Sequence, residues 1–281
     1  MRKSTLLQLV AVAMIAFAGN SLLCRIALRE GHIDAASFST LRLASGALML
    51  WLLVRRREGS GAGHGSWISA FALFAYAAGF SFAYLTLPAA AGALLLFGAV
   101  QATMIGYGLW RGERLNLLQG GGLLLAAGGL VGLLLPGLSA PPLRGALLMI
   151  AAGIAWGVYS LRGRGVARAT ASTAGNFLRA LPFAAVLSLL TLQQAALTPA
   201  GIGYAIASGA LASGLGYAIW YSVLPALRAT NAATIQLSVP VITAAGGVIF
   251  LGEPITLRLV LTSIAILAGI ALVITGKRAA G

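Results

Sequence analysis

The chain has 281 residues, of which 59% are hydrophobic and only 9% are charged, and its mean hydropathy is +0.95. Soluble domains are nearer half apolar and about a quarter charged, so this composition excludes a water-soluble globular protein and favours a protein embedded in lipid. The net charge of +14 would suggest nucleic-acid binding if the basic residues were clustered, but they are scattered between apolar runs, as in membrane-protein loops.

Apolar runs follow one another along the whole chain, and each is close to the roughly 20 residues that a transmembrane helix needs. They do not alternate polar and apolar residues, as the strands of a membrane barrel would. The connections between them are too short to form a soluble domain. We therefore predict an all-α integral membrane protein with ten transmembrane helices, at residues 5–24, 35–54, 67–87, 89–110, 117–136, 145–162, 172–192, 200–222, 227–250 and 255–275.

The positive charges predict the orientation of these helices. Thirteen Lys and Arg residues fall in segments on the side of the N-terminus, and four fall in the loops on the other side. Because basic residues concentrate in cytoplasmic loops, both termini are predicted to be cytoplasmic.

The two halves of the chain carry matching residues at a nearly constant spacing. Residues 82–89 (FAYLTLPA) resemble residues 219–226 (IWYSVLPA), an offset of 137 positions that also relates Arg42 to Arg179. The sequence therefore predicts two five-helix repeats, at 1–137 and 138–281. Five is an odd number, so the second repeat enters the membrane from the opposite side, and such inverted repeats are typical of secondary transporters.

A Gly-Glu pair also recurs, between the fourth and fifth helix of each half. Glu113 and Glu253 are both predicted to lie in turns at the membrane surface, each near the N-terminus of the following helix. There the helix dipole stabilises a carboxylate, which indicates a capping role.

The sequences around these pairs, LFGAVQATMIGYGLWRGERL and TIQLSVPVITAAGGVIFLGEPI, resemble the drug/metabolite transporter superfamily in its EamA branch. The second carries Pro240 thirteen residues before Glu253, as is usual in that family, whereas Val100 stands at the corresponding position of the first half. Within the branch the chain looks most like the YddG-type amino-acid exporters. The resemblance implies a ten-helix protein of the bacterial inner membrane that exports small metabolites, among them aromatic and other neutral amino acids.

Residues that would indicate catalysis or a cofactor are missing from the predicted spans. All five Asp and Glu residues and both His residues fall in loops, and Cys24 is the only cysteine. We therefore predict that the protein is not an enzyme, needs no metal or cofactor, and depends weakly on a proton gradient. A multidrug or nucleoside exporter of the same fold is the alternative, and a lipid-handling membrane protein has less support.

Polar and aromatic residues deep in the spans are the candidates for a substrate site between the halves. Tyr76, Phe80 and Tyr84 form a stripe on one helix face, and the repeat places Ser213, Tyr217 and Tyr221 at the mirrored positions. Amides at this depth must face protein or a cavity, and interhelical hydrogen bonding is an equally good explanation for them. The predicted substrate-binding residues are Tyr76, Phe80, Gln101, Trp156, Tyr159, Tyr217, Gln236 and Ser238.

Two arginines, Arg42 and Arg179, fall within predicted spans, about 10 Å below the surface at a rise of about 1.5 Å per residue. We favour a structural role for both, in which the side chain reaches the surface or binds backbone carbonyls. The alternative is that each forms part of a gate that meets a substrate carboxylate.

Overall fold

The computed structural model describes residues 3–58, 64–112, 114–137, 140–227, 232 and 235–276. These residues form a helical protein, and within the described ranges the connections between its helices are short, as predicted. The helices are α1 (Lys3–Arg29), α2 (Ala35–Glu58), α3 (Trp67–Tyr84), α4 (Ala89–Trp110), α5 (Leu117–Leu134), α6 (Leu143–Gly163), α7 (Ala169–Leu190), α8 (Pro199–Ala226), α9 (Ser238–Leu251) and α10 (Leu257–Gly276).

The predicted ten-helix, all-α architecture is confirmed. Nine of the described helices are long and apolar enough to cross a membrane, and α9 is a shorter apolar helix of 14 residues. Helix α9 (Ser238–Leu251) covers the later part of the predicted ninth span, 227–250, and residues 228–231 and 233–234 of that span lie outside the described residues.

Contacts between helices follow the relation that an inverted repeat requires. The repeat relates α1 to α6, α3 to α8 and α4 to α9. Helix α3 packs on α6, and its equivalent α8 packs on α1. Helix α4 also packs on α6, and its equivalent α9 packs on α1. The pairs α2–α7, α4–α9 and α5–α10 each join one helix to its own counterpart. Most of the packing is thus between helices of different halves. The junction between the halves therefore runs through the middle of the molecule. The boundary between residues 137 and 138 stays a prediction.

Glycines allow α5 and α10 to approach closely. A Cβ at Gly122 would lie 2.7 Å from the carbonyl oxygen of Gly269, and a Cβ at Gly129 would lie 3.1 Å from the backbone nitrogen of Ile266. Small residues at such crossings let backbones touch and gain van der Waals contacts, which drive helix association in lipid.

An ion pair joins the halves at one end of the bundle, which we call the Glu253 end. Arg25 Nε lies 3.0 Å from Glu253 Oε1, and the other carboxylate oxygen accepts a hydrogen bond of 2.7 Å from the backbone N–H of Ala89. Glu253 therefore does cap a helix, but the helix is α4 of the other half rather than the following helix α10. Glu113, its predicted counterpart, lies outside the described residues.

Asp34 joins two loops at the same end. Its carboxylate accepts hydrogen bonds from the backbone N–H groups of Ala36 and Ser37 at the start of α2, and from Ala196 in the loop before α8. Partial burial opposes ionisation of Asp34, but these hydrogen bonds outweigh it, and the pKa of the carboxyl lies below its ordinary value. Asp34 is thus a charged tie between the halves at physiological pH.

Candidate functional site

A cluster of aromatic rings around one arginine lies where the two halves meet. We call it the central cluster. Its members come from α2 and α3 of the first half and from α6 and α8 of the second half. They are Arg42, Tyr76, Phe80, Trp156, Tyr159 and Tyr217, and five of these six were predicted as substrate-binding residues.

Trp156 contacts rings of both halves. Its ring centroid lies 4.8 Å from that of Tyr76 on α3, 5.2 Å from that of Tyr159 one turn along α6, and 5.3 Å from that of Tyr217 on α8. The planes of Trp156 and Tyr217 are 23° apart, so these rings are stacked. Phe80 extends the cluster along α3, with its centroid 5.5 Å from that of Tyr76.

Arg42 is in the middle of this cluster, and only 1% of its surface is exposed. Its guanidinium carbon lies 5.0 Å from the Tyr76 ring centroid and 4.9 Å from that of Phe80, within cation–π distance. Its Nη2 donates to the Tyr76 hydroxyl at 2.9 Å, and its Nε donates to the Ser213 hydroxyl at 3.4 Å. The buried Nη1 has no hydrogen-bond partner. The expectation that Arg42 reaches the surface or binds carbonyls is therefore wrong.

A distorted segment of α8 packs against α2 beside Arg42. Residues Ala207–Leu215 are a π-helical segment in the middle of α8, a deviation that is frequent at functional sites. Gly209 in this segment packs directly on α2, where a Cβ would collide with the backbone carbonyl of Arg42. The same segment carries Ser208, which donates to the side-chain oxygen of Asn20 at 2.5 Å. The Asn20 amide in turn donates to the Tyr76 hydroxyl at 3.3 Å.

The other predicted site residues take no part in these ring contacts and hydrogen bonds. Gln101 is buried on α4, and Gln236 is half-buried just before α9. Ser238 donates to the carbonyl of Ile235 at 2.7 Å, so its hydroxyl is used at the start of its own helix. Their membership of the site stays a prediction. Asn20 and Ser208 were not among the predicted site residues, although an amide or hydroxyl side chain within an apolar span was a signal for both.

Arg179, the mirrored counterpart of Arg42, has a different environment. Its Nη1 donates to the backbone carbonyls of His64 and Gly175, each at 3.1 Å. This is the structural tie to carbonyls that was predicted for both arginines, and it applies to Arg179 alone. The halves are thus similar in fold but not in the chemistry at this pair of positions.

Two clefts lie at the end of the molecule opposite Glu253, which we call the His64 end. A narrow cleft of about 20 Å³, with room for about one water molecule, is lined by Tyr159, Arg162, Asn176 and Tyr221 among others. A second cleft of about 260 Å³ lies beside His64 and Ser172. Tyr159 belongs both to the narrow cleft and to the central cluster.

Comparisons with known proteins identify the family. Residues 143–275 match the EamA-like transporter family. An uncharacterized protein of Pseudomonas aeruginosa is 58% identical over 272 residues, which cover 96% of this chain and 95% of that protein. A solved structure, described only as the crystal structure of a protein, has a TM-score of 0.66 and 18% identity over 97% of this chain and 98% of that chain, and it supports the fold alone. Residues 143–275 of this multi-pass membrane protein thus form a domain of the EamA-like transporter family.

Proposed function

We propose that this EamA family transporter resides in the bacterial inner membrane and exports small neutral or zwitterionic metabolites. Aromatic and other amino acids are the proposed substrates, carried by alternating access of one site between the halves, with both termini in the cytoplasm. The observation that carries the proposal is the central cluster, which joins both halves through rings and buried polar groups.

The chemistry of the cluster suits an amphipathic small molecule. Small-molecule sites are mostly apolar with a few placed polar groups, and here rings supply the walls while Asn20, Ser208 and Ser213 supply amide and hydroxyl groups. A substrate ammonium would be stabilised over a ring face, a contact worth about 2 kcal/mol or more when desolvated.

The two ends of the molecule support outward transport. At the Glu253 end the Arg25–Glu253 pair joins the halves, whereas the narrow cleft that includes Tyr159 of the cluster lies at the His64 end. If the His64 end is cytoplasmic, as the distribution of basic residues predicts, the cluster is approached first from the cytoplasm.

A multidrug or nucleoside exporter is the second candidate, because stacked rings such as Trp156 and Tyr217 also suit planar lipophilic molecules. A lipid-handling role has less support, since lipid chemistry would call for a polar site at one membrane face. Substrate tests distinguish these functions directly.

Counterflow in proteoliposomes tests the proposed function. Vesicles that contain the purified protein and unlabelled L-phenylalanine should transiently accumulate labelled L-phenylalanine, and uridine or a lipophilic cation should not replace it. Since no acidic residue was predicted within a span, an imposed pH gradient should change the initial rate by no more than about twofold. Uptake of uridine without uptake of amino acids would favour the second candidate. Steep accumulation driven by a pH gradient alone would contradict the weak coupling.

A further inference from the structure

We infer that Arg42 is the residue that binds the carboxylate of the substrate, so that the carrier selects molecules with one carboxylate group. This inference rests on the proposed function of the central cluster and adds the chemical class that the cluster recognises. It concerns the bound substrate in the middle of the molecule, rather than a gate at either surface.

The first reason is that Arg42 is incompletely satisfied. A buried guanidinium without a counter-charge is costly, and each buried N–H group normally finds an acceptor. Nη1 is buried and has no partner, and no carboxylate of a described residue forms an ion pair with Arg42. Ring faces compensate part of the charge but accept none of the hydrogen bonds of Nη1.

The second reason is the contrast with the arginines that have structural roles. Arg25, Arg29, Arg179 and Arg258 each donate to at least one backbone carbonyl, at the ends of helices or in loops. The acceptors of Arg42 are two hydroxyl groups, on Tyr76 and Ser213, in the middle of the bundle. A hydroxyl is a weaker acceptor than a carboxylate, so an incoming carboxylate would be the better partner.

The third reason is that further donors converge at the same place. The Tyr76 hydroxyl accepts from Arg42 and from Asn20, and among the described residues its own proton has no recorded acceptor. A carboxylate beside Arg42 could therefore accept from the two N–H groups of Nη1 and from the Tyr76 hydroxyl. The rings of Phe80 and Trp156 would then contact the apolar part of the same molecule.

Equilibrium binding of matched small ligands tests this inference without transport. Phenylacetate and its neutral isostere phenylacetamide are titrated by calorimetry into the purified wild-type protein, with L-phenylalanine as the zwitterion. Phenylacetate and L-phenylalanine should bind at least about tenfold more tightly than phenylacetamide. The Arg42→Gln variant should lose this preference, Arg42→Lys should keep part of it, and the control Arg179→Gln should keep all of it.

The outcomes separate this inference from the proposed function. Equal binding of phenylacetate and phenylacetamide, failure of the wild type to bind either carboxylate, or a full preference in Arg42→Gln would overturn the role of Arg42, even if counterflow of amino acids succeeds. A carboxylate preference that depends on Arg42 would support it, even if counterflow fails. Should both Arg42 variants fail to fold, the comparison of the ligands on the wild type decides.

Discussion

Replacing Trp156 by Ala should lower substrate affinity at least about tenfold, which corresponds to a loss of about 1.4 kcal/mol of binding free energy. Trp156 contacts rings on α3, α6 and α8, so its removal takes away the wall that both halves share. Each aromatic pair contributes about 0.5–1.5 kcal/mol beyond the area that it buries. The measurement is the concentration dependence of L-phenylalanine counterflow, with Trp156→Phe as a variant that keeps a ring and should recover part of the affinity.

Trp110→Ala is the matched control for this change. Trp110 lies at the end of α4 with 79% of its surface exposed, and it contacts only the ring of Tyr107 among the described aromatic residues. Its loss should leave affinity nearly unchanged. If Trp156→Ala transports like the wild type while Trp110→Ala is impaired, the rings of the central cluster serve packing and the site lies elsewhere.

Replacing Gly122 by Val should prevent assembly of the two halves. A Cβ at Gly122 would already lie 2.7 Å from the carbonyl oxygen of Gly269 and 2.8 Å from the Cβ of Leu272. Neither atom can give way unless α5 and α10 move apart. Overpacking of this kind costs about 1–3 kcal/mol or more. We expect most of the variant to be lost as aggregate when it is extracted in detergent and passed over a size-exclusion column.

The neighbouring glycine provides a control within the same run of three. A Cβ at Gly121 would meet no atom within 4 Å, so Gly121→Val should give a monodisperse peak like that of the wild type. Equal behaviour of the two variants would show that the close approach of α5 and α10 is not needed for the fold.

Hydropathy and the internal repeat were sufficient to predict the fold, because the bilayer limits each span to a narrow range of lengths. The same reasoning predicted the inward-facing stripe on α3, where Tyr76, Phe80 and Tyr84 are all buried. Depth along a helix can be counted from the sequence, but the direction of a side chain around the helix axis depends on the neighbouring helices. For this reason the sequence placed Gln101 mid-way along α4 but did not show which residues its side chain faces.

Arg42 shows most clearly what the sequence did not reveal. Its depth alone allowed a reach to the surface, since a long side chain can extend along the helix. The deciding facts are tertiary: the π-helical segment of α8, the contact of Gly209 with α2, and rings from α3 above the guanidinium. Arg179 occupies the mirrored position and yet binds loop carbonyls, so the repeat could not predict the difference either.

A reversible disulfide at the Glu253 end tests alternating access most directly. A Cβ built on Gly247 lies 3.5 Å from the Cβ of Ala89, within the range of disulfides, and the pair joins α9 to α4 across the halves. In a variant with Cys24 replaced by Ser, Ala89→Cys with Gly247→Cys should support counterflow when reduced. Oxidation should abolish counterflow and reduction should restore it, with the bond verified by mass spectrometry and the single-cysteine variants unaffected. Undiminished counterflow in the fully oxidised protein would contradict a carrier that must open at this end.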